Sequence, residues 1–314
     1  MGFLRKSLFT GFGFLLLWLV ADSVSPAGAK AVASKVIFDT DIGDDIDDAY
    51  ALGLLLRSPE VQVLGVTTAF EDTHLRARLA ARFLSAAGRG DVPVYEGPKT
   101  AAAAHFTQRE WAEGTADRTF PDAVEFVLDT IRKNPGEITL VAVAPLTNVG
   151  ELIRRDPETF RKLKRVVLMG GSVVLGYGGK KEPEVEWNIL NDVAGAKALF
   201  GAGVPLYVMP LDSTQILLEP ERQTQLFAKK TGMTKALEEL TTEWSATTKH
   251  TSPILFDVVA AAYAVRPGIC PMTRMRIEVD DKGFTRRVSG AANANVCLES
   301  KTGEFFDLFM ARVF

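Results

Sequence analysis

Six carboxylates crowd into ten positions of the chain: Asp39, Asp41, Asp44, Asp45, Asp47 and Asp48, with Gly43 among them. At surface dielectric each close pair of like charges costs roughly 1 kcal/mol or more, so such a run calls for a cation to offset it. Only oxygen ligands are on offer, with no neighbouring His or Cys, and such sites suit Ca²⁺ or Mg²⁺ better than Zn²⁺. A plain solvated acidic loop fits less well, because the run lies between Val36-Ile37-Phe38 and the apolar stretch Ala49 to Leu56. An EF-hand counted from Asp39 fails. Its fifth position is Gly43 and its twelfth Tyr50, where a ligand and a bidentate Glu are needed. An aspartyl-phosphate chemistry, with Asp39 as nucleophile and Asp41 as acid, leaves Asp47-Asp48 without a role.

The flanks say what positions these side chains. Val36-Ile37-Phe38 reads as the end of a buried strand and the stretch after Asp48 as a helix. A strand–loop–helix unit puts the carboxylates at the carboxyl edge of a sheet, where open α/β folds bind ligands. Gly43 permits the tight turn that lets several of them converge. Over residues 35–314, short β-branched runs alternate with longer helical segments. This predicts a single α/β domain with a mostly parallel central sheet flanked by helices, Rossmann-like and open. Strands are expected over 61–68, 92–95, 137–143, 165–172 and 204–212, and a closing hairpin from 275–279 and 295–299. Helices are expected over 73–87 (with Arg76, Arg78 and Arg82 on its polar side), 193–200, much of 219–264, and 304–313. Thr147 or Asn148 suits a helix cap, as does Asp192. Residues 99–120, with His105 and Trp111, read as an irregular loop bordering a site.

Two further places carry chemistry. Asp257 stands between Phe256 and Val258-Val259-Ala260-Ala261. Buried there without a partner a carboxylate would cost several kcal/mol, and a metal is such a partner. Glu186 and Asn188 offer fixed acceptors and donors for vicinal hydroxyls. Of the three histidines, His74 reads as a solvated or capping residue, while His105 and His250 are candidates for substrate contact.

The chain has 314 residues and a formal charge of −3. That is ample for a sizeable core, and no basic excess points to nucleic acid. Arg5 and Lys6, an apolar run from Gly11 to Ala21, and Ser25-Pro26-Ala27-Gly28-Ala29 read as a secretory signal over residues 1–29. The apolar run is short for a membrane span and no Cys nearby could carry a lipid, so cleavage is expected over anchoring. The expected location is secreted or periplasmic. In an oxidising compartment Cys270 and Cys297 can be bridged, and two buried free thiols fit the sequence equally well.

The acidic stretch resembles the opening motif of the inosine–uridine-preferring nucleoside hydrolase family, in a variant with two extra residues between the glycine and the Asp-Asp pair. The resemblance extends in order through Leu64-Gly65-Val66-Thr67-Thr68, Ala144-Pro145-Leu146-Thr147-Asn148, Met169-Gly170-Gly171-Ser172, Glu186-Trp187-Asn188-Ile189, Pro210-Leu211-Asp212 and Leu255-Phe256-Asp257. It implies a Ca²⁺-dependent hydrolase that splits a small-molecule ribonucleoside into base and ribose. It implies Ca²⁺ on Asp41, Asp48, the Val143 carbonyl and Asp257, with Asp41 taking the proton of the attacking water. Asp47, Glu186 and Asn188 match the family's sugar contacts. Asp72 takes the place of a ribose-contacting Asn, and His105 lies where the family often carries a His. The family often forms dimers or tetramers, so a homo-oligomer is in keeping with it.

The pattern departs from the family at one telling position, because Phe256 stands where inosine–uridine enzymes place a His directly before the late Asp. Stacking of the base on Trp187 or Trp111 would be another way to activate a purine, though both residues also suit packing. Two other readings follow from the departure. One is an exported nucleoside- or ribose-binding protein of the same fold with little turnover. The other is a hydrolase of a different N-riboside whose base is already cationic.

Overall fold

Alternation along the first strand decides the architecture. Val36 and Phe38 pack into one apolar cluster and Ile37 into another, on opposite faces of the sheet, as a period of two requires. The computed structural model describes residues 1–4, 8, 32–100 and 105–313. The chain divides into a unit Met1–Val32 and a unit Ala33–Phe314, and the second contains the sheet and its helices. The expected signal segment lies largely outside the described residues. Among those described, no helix is long and apolar enough to cross a membrane.

Among the described residues nine strands form one sheet: β1 (Ser34–Thr40), β2 (Val61–Thr68), β3 (Val94–Glu96), β4 (Ile138–Ala142), β5 (Arg165–Met169), β6 (Leu206–Met209), β7 (Met272–Val279), β8 (Thr285–Val288) and β9 (Ala294–Cys297). Their spatial order is β3-β2-β1-β4-β5-β6-β9-β7-β8. The seven strands from β3 to β9 in that order are parallel, and β7 pairs antiparallel with both β9 and β8. The expected α/β domain with a mostly parallel, helix-flanked sheet is therefore found. Chain order runs one way from β1 to β3 and the other way from β4 to β6. The crevice between the carboxyl ends of β1 and β4 is thus a topological switch point, the usual ligand site of such sheets.

The expected closing hairpin is found in part: β7 and β9 pair antiparallel, but they are not consecutive strands. β7 turns tightly into β8, and β9 then inserts between β7 and β6. Thr285-Arg286-Arg287-Val288 carries only one apolar residue, so it reads poorly as a strand from its pattern. Cys270 and Cys297 form a disulfide, with Cα atoms 5.6 Å apart, joining the approach to β7 to the end of β9.

The helix Asp47–Leu56 is buried along its whole length, which explains its unbroken apolar run. It packs against the helix Phe256–Val265, which is also buried throughout except at Phe256. The two buried helices lie side by side with their N-termini together, Asp47 and Asp48 in the first turn of one and Asp257 in that of the other.

Candidate active site

Asp47 and Asp48 open the helix Asp47–Leu56, and Asp257 sits in the first turn of Phe256–Val265. The two helix N-termini aim their free N–H groups and positive dipole ends at the same place, which favours negative charge there. The Asp257 N–H donates to Asp47 Oδ2 at 2.9 Å. Thr40, at the end of β1, donates its hydroxyl to Asp48. One ligand oxygen from each of Asp47, Asp48 and Asp257 lies within 4.8 Å of the others, and all three residues are buried. Burial first, and the neighbouring carboxylates second, push all three carboxyls well above their usual range. Three desolvated carboxylates facing one another fit a hard divalent cation, which removes the penalty that burial and repulsion impose.

Asp41 lines the same cavity but lies outside that triangle, so the geometric group holds Asp47 where the resemblance has Asp41. Its carboxyl is raised to about 6, by burial above all, against the lowering influence of Arg76. Val143 follows β4 and lines the cavity too, and its carbonyl accepts from Asn188 Nδ2 at 3.0 Å. Glu186 caps the short helix Trp187–Asn191 and accepts from the N–H groups of Asn188 (2.9 Å), Ile189 (3.2 Å) and Gly171 (2.8 Å). Burial raises it to about 7 despite those bonds. Together these side chains border a cavity of about 390 Å³ at the β1/β4 switch point.

Asp72 is not brought to the cavity. Its carboxylate caps the helix Thr73–Ala86 through Leu75 N–H and pairs with Lys99 at 2.7 Å. The cause is local: Phe70 and Glu71 both take left-handed backbone, with φ of 66° and 51°, which is uncommon for residues other than glycine. That turn leaves Glu71 buried and Asp72 partly exposed. His105 does line the cavity, with Nδ1 3.2 Å from Glu71 Oε1 and its ring edge-on to Trp187 at 5.2 Å.

Other placements differ from the pattern-based reading. Arg76, expected on a polar face, is fully buried beneath the acidic loop. Its guanidinium donates to the carbonyls of Asp41, Ile42 (3.3 Å) and Phe70 (3.0 Å), with Glu71 Oε2 3.8 Å away. An Arg in the first turn of a helix that follows an acidic loop was the available signal. Asn148 caps nothing; it donates to Asp39 Oδ1 at 2.6 Å and to the Thr68 carbonyl, tying three strand ends together. Asp192 caps its helix as expected. Trp111 packs under Arg82 and donates to Glu239, away from the cavity, whereas Trp187 borders it. Tyr177, Trp244 and His250 complete the wall with Phe256, on segments too far apart in sequence to be grouped by spacing. His74 bridges Glu96 and Asp117 outside the cavity.

A strap of residues 105–108 holds the acidic loop closed. Gln108 N–H reaches the Gly43 carbonyl at 3.2 Å, Thr107 Oγ1 the Asp44 carbonyl at 2.5 Å, and Gln108 Nε2 the Asp45 carbonyl at 3.0 Å. The Phe106 ring occupies the space a Cβ on Gly43 would need, and Gly43 has φ of 118°. Glycine is required there twice over.

Residues 36–307 match the profile of the inosine-uridine preferring nucleoside hydrolases. The chain belongs to that family. It is 34% identical over 215 residues to a probable uridine nucleosidase 2 of Arabidopsis thaliana, covering 62% of this chain and 65% of the relative. It is 29% identical over 292 residues to a non-specific ribonucleoside hydrolase RihC of Salmonella agona, covering 84% and 92%. The purine-preferring ribonucleoside hydrolase of Gardnerella vaginalis superposes with a TM-score of 0.76 at 25% identity, covering 89% of this chain and 98% of the other. The curated relatives matched at 34–36% identity are spanned over only 57–65% of their length.

Proposed function

We propose that this chain is an exported, Ca²⁺-dependent hydrolase of the N-glycosidic bond of ribonucleosides, releasing free base and ribose. The observation that carries the reading is the buried oxygen triangle of Asp47, Asp48 and Asp257, set in a switch-point cavity that also holds Asp41, Glu186 and Asn188. Family membership and the hydrolase names borne by the relatives support the reaction class. Oxygen-only donors favour calcium or magnesium over zinc, and a wide, irregular carboxylate set favours calcium. Export rests on the leader-like start of the sequence, and the Cys270–Cys297 bridge agrees with an oxidising compartment.

In this reading Asp47, Asp48 and Asp257 would hold the ion, with Asp41 and the Val143 carbonyl, which line the same cavity, completing the set. When bound, such an ion supplies Lewis acidity, making water a better nucleophile at neutral pH and holding vicinal hydroxyls. Asp41, buried in the cavity wall, takes the proton from the attacking water. Asp47, Glu186 and Asn188 fix the ribose, and the surrounding carboxylates stabilise positive charge that develops on the sugar as the bond to the base breaks.

The test is reducing-sugar release from purine and pyrimidine ribonucleosides, with calcium and with chelator. Calcium-dependent release is expected. No release from any riboside, with calcium binding intact, would instead favour a binding protein of the same fold.

A further inference from the structure

The cavity is lined by more carboxyl groups than one divalent ion and a ribose occupy. Besides Asp41, Asp47, Asp48, Glu186 and Asp257, the carboxylates of Asp44 and Asp45 also line it, and no Lys or Arg does among the described residues. Both lie in Asp44-Asp45-Ile46, the stretch between Gly43 and the Asp-Asp pair, and neither the metal reading nor the sugar reading uses them. Their backbone is fixed: the strap holds both carbonyls, and the Ile46 N–H donates to Asp45 Oδ1 at 2.7 Å. The Asp45 carboxylate lies beside Trp244 and His250, and the Asp44 carboxylate near His105. Across the same cavity stand Trp187, Tyr177 and Phe256, the last two edge to face at 6.3 Å. Aromatic walls with fixed carboxylates are the recognition chemistry of a flat organic cation.

Phe256 points the same way. It gives no proton to a leaving base, and a base that is already cationic needs none. Resting on the hydrolase reading, we propose that the preferred substrate class is the N-riboside of a cationic heteroaromatic ring of the pyridinium type, with Asp44 and Asp45 facing the positive ring. In that reaction water adds to the anomeric carbon. The carbon–nitrogen bond breaks with its electron pair going to the ring nitrogen, and the ring leaves neutral. The water's proton passes through Asp41 to solvent, so one proton is released per turnover.

Nicotinamide riboside, uridine and inosine, assayed side by side with the full-length protein and calcium, test this. The expected result is a kcat/KM for nicotinamide riboside at least about tenfold above either neutral nucleoside, shrinking as salt screens the carboxylates. Asp44→Asn and Asp45→Asn should each lower that ratio several-fold, chiefly through KM for nicotinamide riboside. The calcium-induced rise in melting temperature, followed in parallel, should persist in both variants. Hydrolysis that favours uridine or inosine, or a ratio unmoved in both variants, would overturn the inference while leaving the hydrolase reading intact. Failure to cleave any of the three would remove both.

Discussion

The Asp257 N–H donates to the Asp47 carboxylate at 2.9 Å across 210 residues of sequence, locking together the N-termini of the two buried helices that carry the acidic cluster. Each helix end is therefore part of the other's environment. Asp257→Asn keeps the shape but removes one charge from the oxygen triangle. Its calcium-induced rise in melting temperature should be lost or much reduced, and kcat/KM on ribonucleosides should fall by about a hundredfold or more. Thermal shift with and without calcium, read beside sugar release, checks both. An undiminished calcium shift would take Asp257 out of the metal site.

Asp41 lies outside the triangle yet lines the same cavity. Loss of a general base typically costs about 10²–10⁴ in rate. For Asp41→Asn at saturating calcium we expect a fall in kcat of that order, with weaker calcium binding because Asp41 is also assigned to the ion. Steady-state kinetics decides it: a raised KM with kcat unchanged would assign Asp41 to binding alone.

Much of this site was legible because burial and charge conflict so sharply at Asp39–Asp48 and at Asp257. Apolar flanks on both sides leave a carboxylate nowhere to go but a cation or a buried partner. The parallel sheet was legible for a similar reason, since β1, β4 and β5 are short apolar runs separated by helical lengths. Arg76 was not legible. A helix pattern sends Arg outward, and only the three-dimensional closure of the 41–42 turn over it supplies the carbonyls that let it be buried. Asp72 and Glu71 differ by one residue, and two left-handed residues in succession decide which of them faces in. Tyr177, Trp244 and His250 reach the cavity from long-range connections that no local spacing encodes.

Arg76 makes a separate prediction. Removing one partner from a buried ionic network typically costs about 3–5 kcal/mol, since it strands the other. Arg76→Met should lower stability by that order, because the Asp41, Ile42 and Phe70 carbonyls lose their donor and buried Glu71 loses the nearby guanidinium. The double variant Arg76→Met/Glu71→Gln should recover part of the loss. Denaturant melts of both variants measure it, and a single variant as stable as the parent would show that the guanidinium holds nothing in place.

Stability of the chelated protein should fall as pH rises. Asp39 and Asp41 are raised to about 6 and Asp44 and Glu186 to about 7, from ordinary values of 3.8 and 4.5, with burial the leading cause in each. The folded state then binds more protons than the unfolded one across that interval, so the stabilisation is complete below about pH 4 and is lost as pH passes 6 to 7. Glu151 and Asp156 are lowered by arginine partners and act in the opposite sense, but as surface pairs they contribute little. Calcium takes the place of the protons and should flatten the decline. Melting temperatures between pH 4.5 and 7.5, in chelator and in calcium, test the sign; a rise with pH in chelator would contradict it.

The disulfide offers a prediction independent of the site. Cys270 and Cys297 enclose a loop of 27 residues in separation, which includes β7, β8 and most of β9. Closing a loop of that length removes unfolded-state entropy worth about 3–4 kcal/mol, if chain entropy dominates. The bridge also fastens the two antiparallel strands to β6 through β9, so its loss falls on the far edge of the sheet and not on the β1/β4 crevice. Cys270→Ser/Cys297→Ser should therefore melt several degrees lower while kcat and calcium affinity hold. A variant that keeps its melting temperature but loses turnover would mean that this edge is coupled to the cavity after all.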